Sequence, residues 1–357
     1  MNKIHVRFVI FTLVFFFACE AFGAVRILTF HYNHAEFIEL QYKTLKKFLA
    51  DDFELIVFND AATIENERLI KDVCDLCEIK CIRFEPEWHF LDPLNIYLKT
   101  RYEEPSILNS LWEWADFSSI DVIAQHASVR HCHVIQYALD HYGYDHDDIV
   151  VIMDGDNFLV RPMSIRQLLG SNDIVGMSRQ EDHQAILRKQ SLTSPQLDKD
   201  HAWLPSVIFI AFNPSKLPNP RELQFHVDVI NNHPNFPDNT IGDSGAAAYK
   251  YIAKYPQLKI KELCWIYSET FRLNFTVEQL KEMGFSNRFV KFIEDISPHH
   301  IQLFAFEHFM HFGSVSFYLN RTKKFDIFYE FINDLLKEEC IHKQPQKLGF
   351  LKESPCI

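Results

Sequence analysis

Glycine and basic residues are scarce in this sequence. Only 10 of its 357 residues are glycine and 15 are proline, so the compositional signatures of fibrous and disordered chains are missing. Lysine and arginine number 36 against 48 aspartate and glutamate residues, and the formal net charge is −12. This balance argues against a nucleic-acid partner, because phosphate backbones are bound by basic surfaces. Neither an internal repeat nor a low-complexity linker occurs, and the hydrophobic share of 47% suffices for one large domain or a domain with an appendage.

The N-terminus is the exception to this globular composition. Lys3 and Arg7 precede an apolar run over residues 8–18, and the small residues Ala21 and Gly23 follow. This order is typical of a secretory signal peptide, and the run is short for a membrane span. We therefore predict a signal peptide over residues 1–23, with an uncleaved membrane anchor as the alternative. Both predict an exported or secretory-pathway protein, and membrane contact is expected only if the segment is retained.

Cysteine usage leaves the redox state open. Without Cys19, which lies in the predicted signal peptide, seven cysteines remain, enough for up to three disulfides and one leftover thiol. Cys74, Cys77 and Cys81 have the close spacing of some metal ligands, but neither a second cysteine pair nor a matching histidine pair completes a site. We favour a helix end followed by a strand.

The apolar periodicity predicts an α/β fold. Strands are expected at 25–30, 54–58 and 80–84, and helices at 36–49 and 62–77. Strand and helix alternate within sixty residues, which implies parallel βαβ units with helices on both faces of a sheet.

The rest of the chain is less regular. Residues 85–120 carry three tryptophans and are predicted to form an inserted lid or binding wall. The segment at 148–153 is apolar on both alternations and is the best buried strand of the sequence. The remaining predicted strands are 173–177, 207–212 and 309–317, and the remaining helices are 127–141, 221–231, 245–254, 276–284 and 325–336.

The sequence Asp154-Gly155-Asp156 stands directly after this best strand. In open α/β sheets, ligands bind outside the carboxyl ends of the strands. Two carboxylates with a glycine between them can converge on one hard divalent cation, and Mg²⁺ and Mn²⁺ prefer such oxygen ligands. The alternative is an acidic turn that ends the strand, since Asp-Gly is also a turn dipeptide.

In its order of motifs the sequence resembles the nucleotide-sugar glycosyltransferases of the GT-A fold. The segment V-V-I-M-D-G-D-N-F-L-V-R-P-M-S-I is similar to the metal-binding DxD segment of that class. The segment F-M-H-F-G-S is similar to the His-Phe-x-Gly element of family 8 glycosyltransferases, although the Lys-Pro-Trp that usually follows and the Asn-x-Gly acceptor strand of that family are missing. Two front segments, F-H-Y-N-H-A-E-F and V-F-N-D, are similar to those that hold the nucleotide base and ribose.

This resemblance implies a Rossmann-like GT-A domain with a mixed central sheet over residues 24–320. A helical C-terminal extension, residues 321–357, is expected to pack on it. It also implies a metal-dependent, hexosyltransferase-like enzyme that moves a sugar from a nucleotide-diphosphate donor to a glycan, lipid or protein acceptor.

The resemblance further assigns the site residues. Mn²⁺ or Mg²⁺ would be held by Asp154, Asp156 and His311, and His311 must be neutral to ligate, so metal affinity should fall at acidic pH. A histidine packed in the core is the alternative for His311. Asp243 is the candidate catalytic base or acceptor-binding carboxylate, with a helix N-cap as its alternative. Arg130 stands in the first turn of a predicted helix, where anions are favoured. The residues expected to contact the donor are His31, Asn33, Asn59, Asp60, Arg130, His131 and Asp154.

Three other functions compete with the transferase. A phosphohydrolase with a DxD nucleophile would carry the motif after its first strand, whereas here it comes late. A zinc hydrolase on the C-terminal histidines lacks the HExxH spacing. A secreted, non-catalytic carbohydrate-binding protein on a transferase-like fold is the remaining alternative, and the intact Asp154, Asp156 and His311 argue against it.

Overall fold

The computed structural model describes the chain in segments between Gly23 and Lys337. The predicted signal peptide, apart from Gly23, lies outside the described residues, and so do the predicted wall at 85–120, most of the predicted helix at 276–284 and the chain end after 337. The described residues are 23–32, 34–61, 63–84, 127–178, 205–226, 228–230, 240–242, 244–263, 265–268, 278, 281, 286–296, 302–304, 308–312 and 322–337.

The elements follow one another in an α/β order. The strands are β1 (Val25–His31), β2 (Phe53–Asn59), β3 (Lys80–Arg83), β4 (Val150–Asp154), β5 (Asn157–Leu159), β6 (Ile174–Ser178), β7 (Pro205–Phe212), β8 (Asp228–Ile230), β9 (Thr240–Gly242), β10 (Ile260–Leu263), β11 (Trp265–Ser268), β12 (Gln302–Phe304) and β13 (Phe309–His311). The helices are α1 (Ala35–Phe48), α2 (Ile64–Leu76), α3 (Ala127–Ala138), α4 (Ile165–Leu169), α5 (Ala248–Lys254), α6 (Asn287–Ile296) and α7 (Thr322–Lys337).

A seven-stranded sheet with the order β10-β6-β7-β4-β1-β2-β3 forms the centre of the fold. Strands β4, β1, β2 and β3 run parallel to one another, whereas β7 lies antiparallel between β4 and β6. The predicted α/β class with a mixed central sheet is therefore confirmed. Because parallel strands end at the same edge, β1, β2 and β4 bring His31, Asn59 and Asp154 to one edge of the sheet.

Strand β4 is buried on both faces of this sheet. Val151 and Met153 pack into the core on one side, and Val150 and Ile152 pack into the core on the other, all at 0% exposure. This position explains why the first four residues of the strand are all apolar. Burial of a side chain of this size contributes about 1.5–3 kcal/mol, so the strand that carries the DxD is held firmly.

A second, four-stranded sheet of the order β11-β12-β13-β5 is antiparallel. A turn at Gly155 and Asp156 joins β4 to β5, so the chain passes from the large sheet to the small one within the DxD. Helix α7 packs against α1, where the Phe37 ring contacts the ring of Phe328 and the Lys47 ammonium donates a hydrogen bond of 2.7 Å to the Leu335 carbonyl.

Two sequence predictions of secondary structure are corrected here. The predicted helix at 221–231 is wrong, because the chain forms a 3₁₀ turn at Pro220–Glu222 and then strand β8. The backbone of residues 228–230 pairs antiparallel with β9, and this extended pairing replaces the predicted helical hydrogen bonds. The predicted helix at 127–141 ends as an α-helix at Ala138 and continues as a π-helical turn at Leu139–Gly143.

The described cysteines agree with a helix end followed by a strand. Cys74 lies in α2, Cys77 caps it and Cys81 lies in β3. These three and Cys132 are free thiols. Among the helices that the structure describes, none combines the length and the apolar character needed to cross a bilayer.

Candidate metal centre and donor site

Three side chains that could hold a metal ion converge where the two sheets meet. Asp154 ends β4, Asp156 lies in the following turn and His311 ends β13. One ligand atom from each lies within 4.8 Å of the other two, and no other group of three such side chains converges in the described part of the chain. The Nε2 atom of His311 is 2.8 Å from Oδ1 of Asp156 and 3.7 Å from Oδ2 of Asp154.

The strand register produces this convergence. In the small sheet His311 is the partner of Asn157, the residue that directly follows Asp156. The backbone N–H of Phe312 donates a hydrogen bond of 2.9 Å to the Asp156 carbonyl and extends the ladder by one step. The histidine is therefore fixed against the DxD by backbone pairing, although the two segments are far apart in sequence.

Gly155 is packed too tightly to be another residue. A Cβ atom at this position would lie 2.3 Å from the Phe30 carbonyl oxygen and 2.9 Å from Cε1 of the His31 ring. No real Cβ comes so close to backbone, so only glycine lets the turn pass across β1. The middle residue of the DxD thus brings the two carboxylates close to the sheet edge.

His31 is part of this packing. It is 3% exposed, and its Nε2 atom lies 3.3 Å from the Thr29 hydroxyl. Burial lowers the pKa of His31 to about 4, so the ring is neutral at neutral pH. Because its ring lies directly under Gly155, it supports the DxD turn from below.

Gln41, which the sequence did not mark as a site residue, holds both sides of the DxD. Its Nε2 atom donates hydrogen bonds of 2.9 Å to the Asp154 carbonyl and 2.8 Å to the Asn157 carbonyl. Gln41 is fully buried in α1. The sequence did carry a signal for Gln41, because it is a polar residue among the apolar positions of the buried helix face. Such a buried amide requires hydrogen-bond partners.

The charged groups of the cluster shift one another's pKa values. Burial alone would raise the pKa of Asp154, but the nearby His131 and His311 lower it to about 2. Burial alone would lower the pKa of His311, yet Asp156 and Asp154 raise it to about 9. His311 therefore carries a proton in the metal-free protein, and a metal ion must displace that proton to be bound.

His131 links the metal cluster to a second cationic group. Its Nε2 atom lies 3.8 Å from Oδ1 of Asp154, and it follows Arg130 in the first turn of α3. The Arg130 Nε donates a hydrogen bond of 2.7 Å to Oδ1 of Asp60, and its Nη2 donates one of 2.7 Å to the Asp60 carbonyl. The guanidinium also lies over the ring of Tyr32, 5.0 Å from the centroid.

The Asp60–Arg130 pair is nearly buried, whereas Tyr32 is not. The side chains of Arg130 and Asp60 are 13% and 7% exposed, and Tyr32 is 38% exposed. Burial raises the pKa of Asp60 to about 6, although Arg130 counteracts that rise. The sequence predicted donor contacts for Asp60 and Arg130 separately, and the structure shows that they contact each other.

Asn59 uses its side chain to hold its own loop. Its Nδ2 atom donates a hydrogen bond of 2.9 Å to the Glu67 carbonyl, and its Oδ1 atom accepts one of 3.2 Å from the Ala61 N–H. Arg83 also donates to the carbonyls of Asn59 and Ala61, both at 3.0 Å. Asn59 therefore stabilises the loop that carries Asp60, and its contact with a donor stays a prediction.

Two predicted site residues lie outside the described residues. They are Asn33, which follows Tyr32, and Asp243, which stands between the end of β9 and the buried Ser244. Their assigned roles stay predictions. The predicted N-cap role of Asp243 also stays a prediction, and the helix that follows begins at Ala248.

No protein-family model and no curated protein matches the sequence. Among solved structures the chain is similar to a mannosyltransferase from Pyrobaculum calidifontis determined with GDP-mannose and Mn²⁺, with 12% identity over 68% of this chain and 55% of the other and a TM-score of 0.36. It is also similar to core-mannan synthase A from Aspergillus fumigatus in an Mn/GDP form, with 11% identity over 56% and 61% of the two chains and a TM-score of 0.34.

A third solved structure is the galactosyltransferase LgtC with donor and acceptor sugar analogues, with 15% identity over 54% and 59% of the two chains and a TM-score of 0.29. The matched region thus spans 55% to 61% of the length of these three proteins.

Proposed function

We propose that this protein is a metal-dependent glycosyltransferase that transfers a hexosyl group from a nucleotide-diphosphate donor. The convergence of Asp154, Asp156 and His311 at the carboxyl edge of the central sheet carries the proposal. Ligands of α/β sheets bind at this edge, and two carboxylates with one imidazole suit a divalent cation. An imidazole ligand favours Mn²⁺ over Mg²⁺, which prefers oxygen ligands alone.

The cation would stabilise the negative charge that develops on the leaving diphosphate as the glycosidic bond breaks. The residues of the chain supply the other requirements of a donor site. Tyr32 offers an exposed aromatic face, and Arg130 offers a cation whose orientation is fixed by Asp60. His131 stands between Arg130 and the metal ligands, so the site is continuous from the metal to the cation.

The acceptor side rests on Asp243. We propose that this carboxylate is the catalytic base or binds the acceptor, because it follows β9 in the sequence. We propose that the acceptor group is a hydroxyl of a glycan, a lipid or a protein.

The experiment is a turnover assay with the full chain and a panel of nucleotide sugars, in Mn²⁺, in Mg²⁺ and in EDTA. We expect release of nucleoside diphosphate that requires the metal and that Asp156→Asn removes. The matched control is Asp145→Asn, because Asp145 is 80% exposed and pairs with the exposed Arg221. Absence of both turnover and metal-dependent nucleotide binding across the panel would contradict the proposal. Sugar binding that is the same in EDTA and in Asp156→Asn would instead favour the carbohydrate-binding alternative.

We also propose that the protein is exported or enters the secretory pathway. Lys3, Arg7 and the apolar run over residues 8–18 support this proposal. N-terminal sequencing of the protein from its own cells tests it, and an N-terminus at Ala24 is expected. An intact Met1 on a membrane-bound protein would favour the anchor.

A further inference from the structure

Helix α1 lies against the DxD turn and is fixed there by the ring of Phe37. This ring contacts the ring of Phe158 in β5 and the ring of Phe312 after β13, with centroid distances of 5.6 and 5.2 Å. All three rings are buried at 2% exposure or less. Gln41 stands one helical turn after Phe37, so it lies on the same face of α1, and it is fully buried. Aromatic packing therefore holds this face of the helix against the segment that carries the metal ligands.

The amide of Gln41 joins the two ends of the DxD turn. Its Nε2 atom donates one hydrogen bond of 2.9 Å to the Asp154 carbonyl and another of 2.8 Å to the Asn157 carbonyl. Because both partners are acceptors, the group between them must supply two protons from one atom. A carboxylate supplies none when it is ionised, and a hydroxyl supplies only one. A glutamine amide is a neutral group that meets this requirement.

The two carbonyls that Gln41 binds belong to different sheets. Asp154 ends β4 in the large sheet, and Asn157 begins β5 in the small one. Asn157 is also the register partner of His311, and its Nδ2 atom donates a hydrogen bond of 3.0 Å to the Ile208 carbonyl in β7. The Gln41 amide therefore fixes the strand end that carries Asp154 relative to the strand that pairs with His311.

This bridge holds the three ligands in place before an ion is bound. When ligands are mobile, the conformational freedom that they lose on binding opposes the association, so a site that is already ordered binds more tightly. Both hydrogen bonds of the Gln41 amide go to backbone carbonyls. Gln41 therefore acts on the position of the turn and not on the ligand atoms themselves.

We propose that Gln41 is a positioning residue that sets the affinity of the centre formed by Asp154, Asp156 and His311 for a divalent cation. The proposal rests on the metal centre of the proposed function. It concerns the geometry of the ligands and not the transfer of a sugar, so it can be tested with the metal alone.

The test is titration calorimetry of the full chain with MnCl₂ and without a nucleotide sugar. The unmutated protein is compared with Gln41→Met, because methionine is also long and unbranched but has no proton to donate. We expect the Kd for Mn²⁺ to rise by about 10- to 100-fold, the usual effect of removing a group that orients metal ligands. Gln41→Asn is the second variant and serves if Gln41→Met does not fold. It keeps the amide but is one methylene shorter, so it should lose at least one of the two hydrogen bonds and also weaken Mn²⁺ binding.

Thr44→Val is the matched control for these variants. Thr44 is fully buried in the same helix, and its hydroxyl donates a hydrogen bond of 2.9 Å to the backbone carbonyl of Gln41. Valine keeps the shape of the threonine side chain and removes this bond without touching the two bonds of the Gln41 amide. We expect Thr44→Val to bind Mn²⁺ as the unmutated protein does, even if urea unfolding shows a loss of stability.

Two results would overturn the proposal and leave the metal centre in place. One is an unchanged Mn²⁺ affinity in Gln41→Met, and the other is an equal loss of affinity in Thr44→Val, which would indicate a general loosening of α1. Absence of Mn²⁺ binding by the unmutated protein would overturn the proposed function together with this proposal. The titration of the unmutated protein therefore distinguishes the two failures.

Discussion

The imidazole Nε2 of His311 lies 2.8 Å from Oδ1 of Asp156. Each residue comes from a different part of the chain, and the pairing of β13 with β5 brings them together. A proton and a metal ion would compete for the same nitrogen of the His311 imidazole. The contact between His311 and Asp156 therefore represents the metal-free form of the proposed centre.

Replacement of Asp156 by Asn should abolish metal-dependent function. The amide keeps the size of the side chain but loses the charge that a divalent cation requires. We expect turnover to fall by about 100-fold or more, in line with loss of a group that stabilises developing charge. Titration calorimetry with Mn²⁺ should show weaker binding, and Asp145→Asn should bind as the unmutated protein does. Equal Mn²⁺ affinity in both variants would remove Asp156 from the ligand set.

Gly155→Ala should destabilise the fold and displace the DxD. The new methyl would meet the Phe30 carbonyl oxygen at 2.3 Å, and backbone cannot move aside as a side chain can. We expect a loss of about 1–3 kcal/mol or more in the free energy of unfolding, together with loss of Mn²⁺ binding.

Gly143→Ala provides the comparison, because its methyl would meet only the Leu139 Cδ2 atom, the end of a side chain, at 2.7 Å. Urea unfolding of the two variants measures the difference. A Gly155→Ala protein as stable as Gly143→Ala would show that the turn tolerates a side chain.

Asp60 and Arg130 should behave as one unit. Arg130→Met leaves the nearly buried Asp60 carboxylate without its cation, which should cost about 3–5 kcal/mol of stability. In the double variant Asp60→Asn/Arg130→Met the buried charge is gone, so part of the lost stability should return. The losses of the two single variants should therefore sum to about 1–3 kcal/mol more than the loss of the double variant. A double-mutant cycle from urea unfolding tests this coupling, and strict additivity would contradict it.

Two half-buried histidines, His226 and His308, should make the protein sensitive to mild acid. Burial lowers the pKa of His226 to about 4, against about 6.5 for an unfolded histidine. Between these values the unfolded chain binds more protons than the folded one, so stability is full above pH 6.5 and falls as the pH drops toward 4. The slope is at most about 1.4 kcal/mol per pH unit for this residue.

His226→Gln removes the titrating group and should flatten the pH dependence measured by urea unfolding at pH 7.5, 6 and 5. His308, whose pKa burial also lowers to about 4, would still contribute. An unchanged slope in the variant would show that His226 is accessible to protons in the folded state.

The first half of the fold was predictable because its elements are long and periodic. The strands and helices from β1 to β3 were expected within one or two residues, and so was β4 up to the DxD. Three-residue strands such as β5 and β12 carry too little pattern to be recognised, and each is held by pairing with β13, which lies within the strand predicted at 309–317.

The three candidate metal ligands could be named from the sequence, but the residues that hold them in place could not. Asp154 and Asp156 followed from their place after a buried strand, whereas His311 required a resemblance, since the sequence alone does not show that β13 pairs with β5. Gln41 and the contact between Asp60 and Arg130 depend on tertiary geometry. The helix predicted at 221–231 was wrong because residues 228–230 pair with β9, a partner that is distant in sequence.

The chain passes from the large sheet to the small one within the DxD, and this affects how cooperatively the two sheets open. Asp154 belongs to the large sheet and His311 to the small one, so a bound ion would couple the opening of two otherwise separate hydrogen-bonded units. A ligand that binds only the folded state stabilises it by mass action. Amide hydrogen exchange in β5 and β13 should therefore slow when Mn²⁺ is added, and these few amides would report the occupancy of the centre even without a sugar donor.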